Sequence, residues 1–199
     1  ESAGRVLGAD ISADGDYPPF DNSAVDGFAL QAKDTSSASS LTLSVVADIP
    51  AGSAPTVSLR SGQAARIMTG AQLPKGADRV IPVEETDFND RSAGTSAPKT
   101  ITFSKQIRMG ENVRTRGMDI QSGEVVLTKG RALKPQDLGL LATLGYANVT
   151  VHKKARVALL SSGDELLEAD APLEPGKIRD SNSYVLAAAI VRSGAEAIR

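Results

Sequence analysis

The sequence predicts an α+β protein of several subdomains: a β-rich sandwich or barrel-like region, then the start of an open α/β domain. Three observations carry that reading. Short Val/Ile/Thr-rich runs, bounded by Gly, Pro, Asn and Asp, fill the first two-thirds of the 199 residues. At Lys134 the apolar period changes to that of a helix. From Val157 to Leu160 the chain is continuously apolar, as in strands of parallel sheets covered on both faces.

The elements follow in order. LTLSVVADI (Leu41–Ile49), ARIMT (65–69), DRVIPVEET (78–86), KTITFS (99–104) and GEVVLTKG (123–130) read as strands, several with apolar-polar alternation. Such spacing suits a compact sandwich or barrel. The polar stretches DTSSASS (34–40) and NDRSAGTSAPK (89–99) read as mobile surface loops rather than linkers. KPQDLGLLATLG (134–145) reads as a helix. Pro135 suits its first turn, Leu138, Leu141 and Leu144 share a face, and Gly145 stops it. ANVTVH (147–152) is a further expected strand, and the apolar run 157–160 breaks at Ser161-Ser162-Gly163. RDSNSYVLAAAIVRSG (179–194) has Asp180 or Ser181 as N-cap, an apolar stripe of Val185, Leu186, Ala189 and Ile190, and a terminal Gly194. AEAIR (195–199) opens a second parallel strand. So short an α/β region cannot build its own core, so the chain reads as a fragment of a longer protein.

Composition excludes several chemistries. There is no cysteine, hence no disulfide, thiolate nucleophile or zinc-thiolate site. The single histidine, His152, rules out a histidine-cluster metal site within one chain, and in NVTVHKKARV it reads as solvent-facing rather than as a general base. Net charge of −2 and a pI near 5.5 argue against a nucleic-acid surface. No apolar run approaches the roughly 18 residues of a membrane helix, and ESAGRVLGAD shows no basic stretch followed by an apolar core, so no signal peptide is expected within it. Carboxylates, hydroxyls, Lys/Arg and backbone dipoles remain, an inventory suited to magnesium-dependent phosphate and oxyanion chemistry.

Five segments are placed to use it, each with a plainer alternative. PPFDNSAVDGF (18–28) is either a turn or a rigid loop presenting Asp21 and Asp26. SSGDEL (161–166) follows the apolar strand, where open α/β sheets bind ligands; Ser161, Ser162, Asp164 and Glu165 occupy that place. Its alternative is a turn in which Ser162 or Asp164 caps a short helix through Leu167. RDSN (179–182) opens a helix whose free N–H groups favour an anion, or is ordinary capping by Asp180. The two segments are expected on one rim. RMGENVRTRGMDI (108–120) sets Arg108, Arg114 and Arg116 around Glu111 and ends near Asp119, as an oxyanion surface or a solvated hairpin. IMTGAQLPKGAD (67–78) offers hydroxyl and backbone donors or simply joins strands. Neither the P-loop nor the dinucleotide glycine motif is present.

Taken together and in this order, PPFDNSAVDGFAL, RIMTGAQLPKGADRVIPVEET, RMGENVRTRGMDIQSGEVVL, VALLSSGDEL and GKIRDSNSYVLAAAI resemble the molybdopterin molybdenumtransferase family, which includes the E domain of gephyrin. The likeness runs from Gly4 to Gly194. It implies an elongated cytoplasmic homodimer with four subdomains. Residues 1–12 and 124–154 would belong to subdomain I, 13–123 to β-rich subdomain II, and 155–199 to the start of the molybdopterin-binding α/β subdomain III. The implied reaction inserts molybdate into adenylylated molybdopterin with release of AMP and with Mg²⁺. The family's catalytic and metal-holding acids fall on Asp26, Asp119 and Glu165. Substrate-binding positions fall on Thr69, Ser161, Ser162, Gly163, Asp164, Asp180, Ser181 and Asn182. In the implied dimer, subdomains of opposite protomers build the pocket. Asp21 is expected to be a turn-former bonding backbone N–H groups two residues on. Val25, Phe28 and Met118 stand where the family more often has methionine, tyrosine and an acid. The alternative functions are a non-catalytic, gephyrin-like scaffold that binds partner peptides, and a relative that handles tungstate.

Overall fold

The computed structural model describes residues 2–35, 40–88 and 95–198. Residues 36–39 and 89–94, within the two stretches expected as mobile loops, lie outside them. The strands are β1 (Ile11–Ser12), β2 (Asn22–Ser23), β3 (Gly27–Leu30), β4 (Leu41–Ile49), β5 (Gln63–Ile67), β6 (Arg79–Pro82), β7 (Thr100–Phe103), β8 (Val113–Arg114) and β9 (Val125–Leu127). Helix α1 (Pro135–Thr143) follows, then β10 (Arg156–Ala158), β11 (Leu166–Leu167), β12 (Ile178–Arg179), helix α2 (Asn182–Arg192) and β13 (Glu196–Ile198). The fold class is α+β. The chain divides into two compact units, residues 13–124 and residues 1–12 with 125–199.

The first unit is built on a five-stranded mixed sheet in the order β6-β3-β5-β4-β7, with only β4 and β5 parallel. Alternation along the strands sends Phe28, Leu30, Leu43, Ala64, Ile81, Ile101 and Phe103 into one apolar cluster. Ala29, Ile49, Ala65, Ile67 and Val80 enter another. The sheet is thus covered on both faces, and β3 is buried at all four positions. Sequence reading missed β3, because GFAL hides behind the turn-rich residues before it. Gly27 is fixed by close approach: a Cβ there would sit 1.9 Å from the carbonyl oxygen of Ile81. The apolar run expected through Thr86 ends at Pro82, which cannot donate to a ladder, and passes into a 3-10 turn at Val83–Glu85.

In the second unit β1 pairs antiparallel with β9, and α1 forms as expected. Leu141 and Leu144 are buried, and Gly145 takes positive φ beyond the helix. Asp137 ties the helix start, accepting from the Lys134 amide at 2.9 Å and from Arg131 Nε and Nη2 at 3.1 and 2.9 Å. The expected strand 147–152 reduces to a single bridge between Leu7 and Val151. The second parallel strand is present: β13 pairs with β10 in parallel register. Their burial departs from expectation. The run 157–160 was expected to be covered on both faces, yet β10 is exposed throughout and Leu160 is 95 % exposed. Val185 and Leu186 of the α2 stripe are exposed as well. The physical reason is simple: two strands and one helix supply too few neighbours to cover both faces.

Candidate functional site

Residues 16–26 form a loop fixed at several points. The Tyr17 amide donates to Ile120 O at 2.8 Å, and the Asp119 and Ile120 amides donate back to Tyr17 O at 2.9 and 3.1 Å. Asn22 and Ser23 pair with Arg114 and Val113 through β2 and β8. The Ser23 amide donates to Ala71 O and the Gly70 amide to Ser23 O, at 3.0 and 2.8 Å. The buried, closely packed β3 begins directly afterwards. Asp21 does not make the local turn expected of it. Its Oδ1 accepts from the Arg116 amide at 2.7 Å, a long-range tie. The loop already returns through backbone pairs, leaving the carboxylate for the neighbouring 113–120 segment.

Asp26 closes this loop at the head of β3. Its side chain is exposed, while its Oδ1 accepts from the Thr69 amide at 2.7 Å and from Thr69 Oγ1 at 2.6 Å. Its carbonyl accepts from the Val83 amide at 3.0 Å. Two donors on one oxygen set the plane of the carboxylate. Thr69 therefore touches Asp26, which its position just past β5 alone did not reveal. Asp119 lies on the 113–120 segment that pairs with the same loop, and Arg114 Nη2 donates to Asp119 Oδ2. Met118 beside it is exposed.

Glu165 belongs to the second unit and is held by local means. Its side chain is exposed, and its carbonyl accepts from the Ile178 amide at 2.8 Å, beside the parallel pair β11 and β12. Leu166 and Leu167 are thus strand rather than the end of a short helix, because parallel pairing with Ile178 and Arg179 takes up their backbone. At Gly163 a Cβ would lie 2.6 Å from Glu165 Oε2, so the carboxylate folds back over this turn. Lys177 Nζ donates to the Asp164 carbonyl. Ser161 and Asp180, from segments expected on one rim, do meet: Ser161 Oγ donates to Asp180 Oδ2 at 2.7 Å. Asp180 also caps α2, accepting from the Ser183 amide at 3.0 Å and from the Ser183 hydroxyl. Ser183, buried and unsuspected from the sequence, completes that cluster; its place two residues past the N-cap pair was the available signal. Ser162, Asp164, Ser181 and Asn182 are exposed, as is His152, in keeping with its expected solvent-facing place.

A magnesium ion prefers oxygen donors, and Asp26, Asp119 and Glu165 are all carboxylates. Among the described residues, however, no group of three or more His, Cys, Asp or Glu is placed to hold a metal. Asp26 commits one oxygen to Thr69, and Asp119 is paired with Arg114. The described residues of one chain therefore do not assemble a metal centre. Among the described residues no helix is long and apolar enough to cross a membrane.

Comparison with known proteins places this architecture. The family described as MoeA N-terminal region (domain I and II) matches residues 1–145. Molybdopterin molybdenumtransferase 2 of Mycobacterium tuberculosis (strain H37Rv) is 41% identical over 201 residues, covering 100% of this chain and 48% of that protein. The molybdopterin molybdenumtransferase of Bacillus subtilis (strain 168) is 41% identical over 198 residues, covering 98% and 45%. The crystal structure of the molybdopterin biosynthesis moeA protein from Pyrococcus horikoshii OT3 superposes with a TM-score of 0.87 at 36% identity, over 100% of this chain and 52% of that one. The chain spans about half the length of these relatives. A family match over residues 1–145, joined to relatives 41% identical over nearly the whole chain, shows that the chain belongs to the MoeA family.

Proposed function

We propose that the protein containing this chain is a cytoplasmic, homodimeric molybdopterin molybdenumtransferase that inserts molybdate into adenylylated molybdopterin and releases AMP. Residues 1–12 and 124–154 belong to its subdomain I, 13–123 to subdomain II, and 155–199 open the molybdopterin-binding subdomain III. The observation that carries the reading is the fixed carboxylate of Asp26, oriented by both donors of Thr69 at the head of a buried strand. Membership of a family whose bacterial relatives are named as transferases favours this over a peptide-binding scaffold.

The chemistry requires two anions, molybdate and a phosphate ester, to approach each other. Mg²⁺ held by Asp26, Asp119 and Glu165 would supply the screening charge. As the family resemblance implies, this reading draws its acids from two copies. The part of the protein's own residues is to orient: Thr69 sets the plane of the Asp26 carboxylate, and Arg114 sets that of Asp119. Ser161, Ser162, Gly163, Asp164, Asp180, Ser181 and Asn182 present hydroxyls, carboxylates and helix N–H groups to the substrate, with Asp180 also capping α2.

The test uses the full-length protein with adenylylated molybdopterin, molybdate and Mg²⁺, and reads AMP release. Asp26→Asn keeps the side chain's size and removes its charge. The expected loss is at least about 100-fold, the scale of removing one charge-stabilising group. An Asp26→Asn variant that releases AMP at the wild-type rate sinks the assignment.

A further inference from the structure

Asp16, at the start of the loop that ends at Asp26, bonds residues on both sides of Asp119. Its Oδ2 accepts from Arg116 Nε at 2.7 Å, and its Oδ1 accepts from the Ser122 amide at 2.9 Å. Residues 116 and 122 each stand three positions from Asp119, on opposite sides. One carboxylate therefore closes the turn that carries the candidate acid. The residue after Asp16 completes the hold, since Tyr17 O accepts from the amide of Asp119 itself at 2.9 Å. Arg116 is held twice, by Asp16 at its guanidinium and by Asp21 at its backbone amide. The Gly117 amide adds a bond to Pro18 O at 3.0 Å.

We propose that Asp16, with Arg116 as its partner, is a positioning residue for the proposed reaction: it clasps the 116–122 turn and sets where Asp119 stands against the loop that ends at Asp26. The inference rests on the transferase reading. It does not make Asp16 a catalytic residue, because both of its oxygens are engaged by this chain. The Ser122 amide, and next the Arg116 guanidinium, hold its carboxyl below the ordinary carboxylate value, so the clasp stays charged through neutral pH. Asp16 is part-exposed and Arg116 largely exposed, so their loss removes geometry rather than core packing.

The experiment compares Asp16→Asn, which retains an oxygen for Ser122, with Asp16→Ala, which removes both ties. In the full-length protein kcat for AMP release is expected to fall about 10-fold in the first and on the order of 100-fold in the second. KM should stay within about 2-fold, as expected when placement rather than uniform binding is lost. Arg116→Lys should retain more kcat than Arg116→Gln. Unchanged kcat in an active protein overturns the proposal, and so does a loss that follows the thermal midpoint. Hydrogen exchange supplies a readout independent of activity. Asp16→Ala should speed exchange of the Met118–Ser122 amides about 10-fold and leave residues 27–30 unchanged. If the wild type releases no AMP, the transferase reading fails by itself. The clasp is then judged by exchange alone, and equal exchange in wild type and variant overturns it.

Discussion

Residues 27–103 follow the candidate acid Asp26 and residues 156–198 contain the candidate acid Glu165, but the two regions hold their acids differently. In the first region a five-stranded sheet lies between two apolar clusters, and the loop ending at Asp26 is bonded to residues far along the chain. In the second, strands pair two by two, the helix shows most of its apolar side chains to solvent, and the backbone of Glu165 is tied to Ile178 beside the short β11–β12 pair. A carboxylate can thus be aimed by a rigid base or by a local turn. The first draws its order from a covered five-stranded sheet, the second from a turn and two-stranded parallel pairs.

The sharpest way to break the contrast is Gly27→Ala. A methyl group there would sit 1.9 Å from the Ile81 carbonyl oxygen, and every near atom is Ile81–Pro82 backbone, so no flexible side chain can yield. The expected loss is about 3 kcal/mol or more, read from urea unfolding of the 199-residue chain by circular dichroism. A cost below about 0.5 kcal/mol would remove the claim that β3 is a rigid base.

A smaller effect tests the electrostatic tie at α1. The Arg131 guanidinium, then the Lys134 amide, hold the Asp137 carboxyl below its ordinary value. A carboxylate depressed in the folded state adds stability above its unfolded pKa, near about 3.9, and loses it as pH falls through the folded value. Asp137→Asn should therefore lower the urea midpoint at neutral pH, and the gap to wild type should narrow between about pH 5 and about pH 2. A gap constant over that range would show that the ion pair contributes nothing.

The smallest change is expected at Leu186→Ser, on the exposed stripe of α2. In this chain it should shift stability by no more than about 0.5 kcal/mol, since half of the side chain already meets water. A loss above about 1.5 kcal/mol would mean that this face is covered, and the two regions would cease to differ as described.

Much of this was legible beforehand. Pro135, the leucine face and Gly145 marked α1, because helix ends and stripes are local properties. Asp180 was marked as a cap for the same reason, and the order of the five motifs carried the family. What stayed hidden depends on partners distant in sequence. Thr69 reads as a loop hydroxyl until it is found on Asp26, and Asp21 reads as a turn residue until Arg116 claims it. Asp16, in the plain run ADGDY, offers no signal at all before Ser122 arrives beside it.

The amino-acid order alone determined the inventory of chemistry, acids and hydroxyls without thiols and with one histidine, together with the helix boundaries and the parallel pairing of the last strand. Tertiary structure decided that GFAL is a buried strand and which hydrogen bonds each aspartate makes. The reason is that propensity and capping act over a few neighbouring residues. Burial and carboxylate pairing depend on what the folded chain brings alongside.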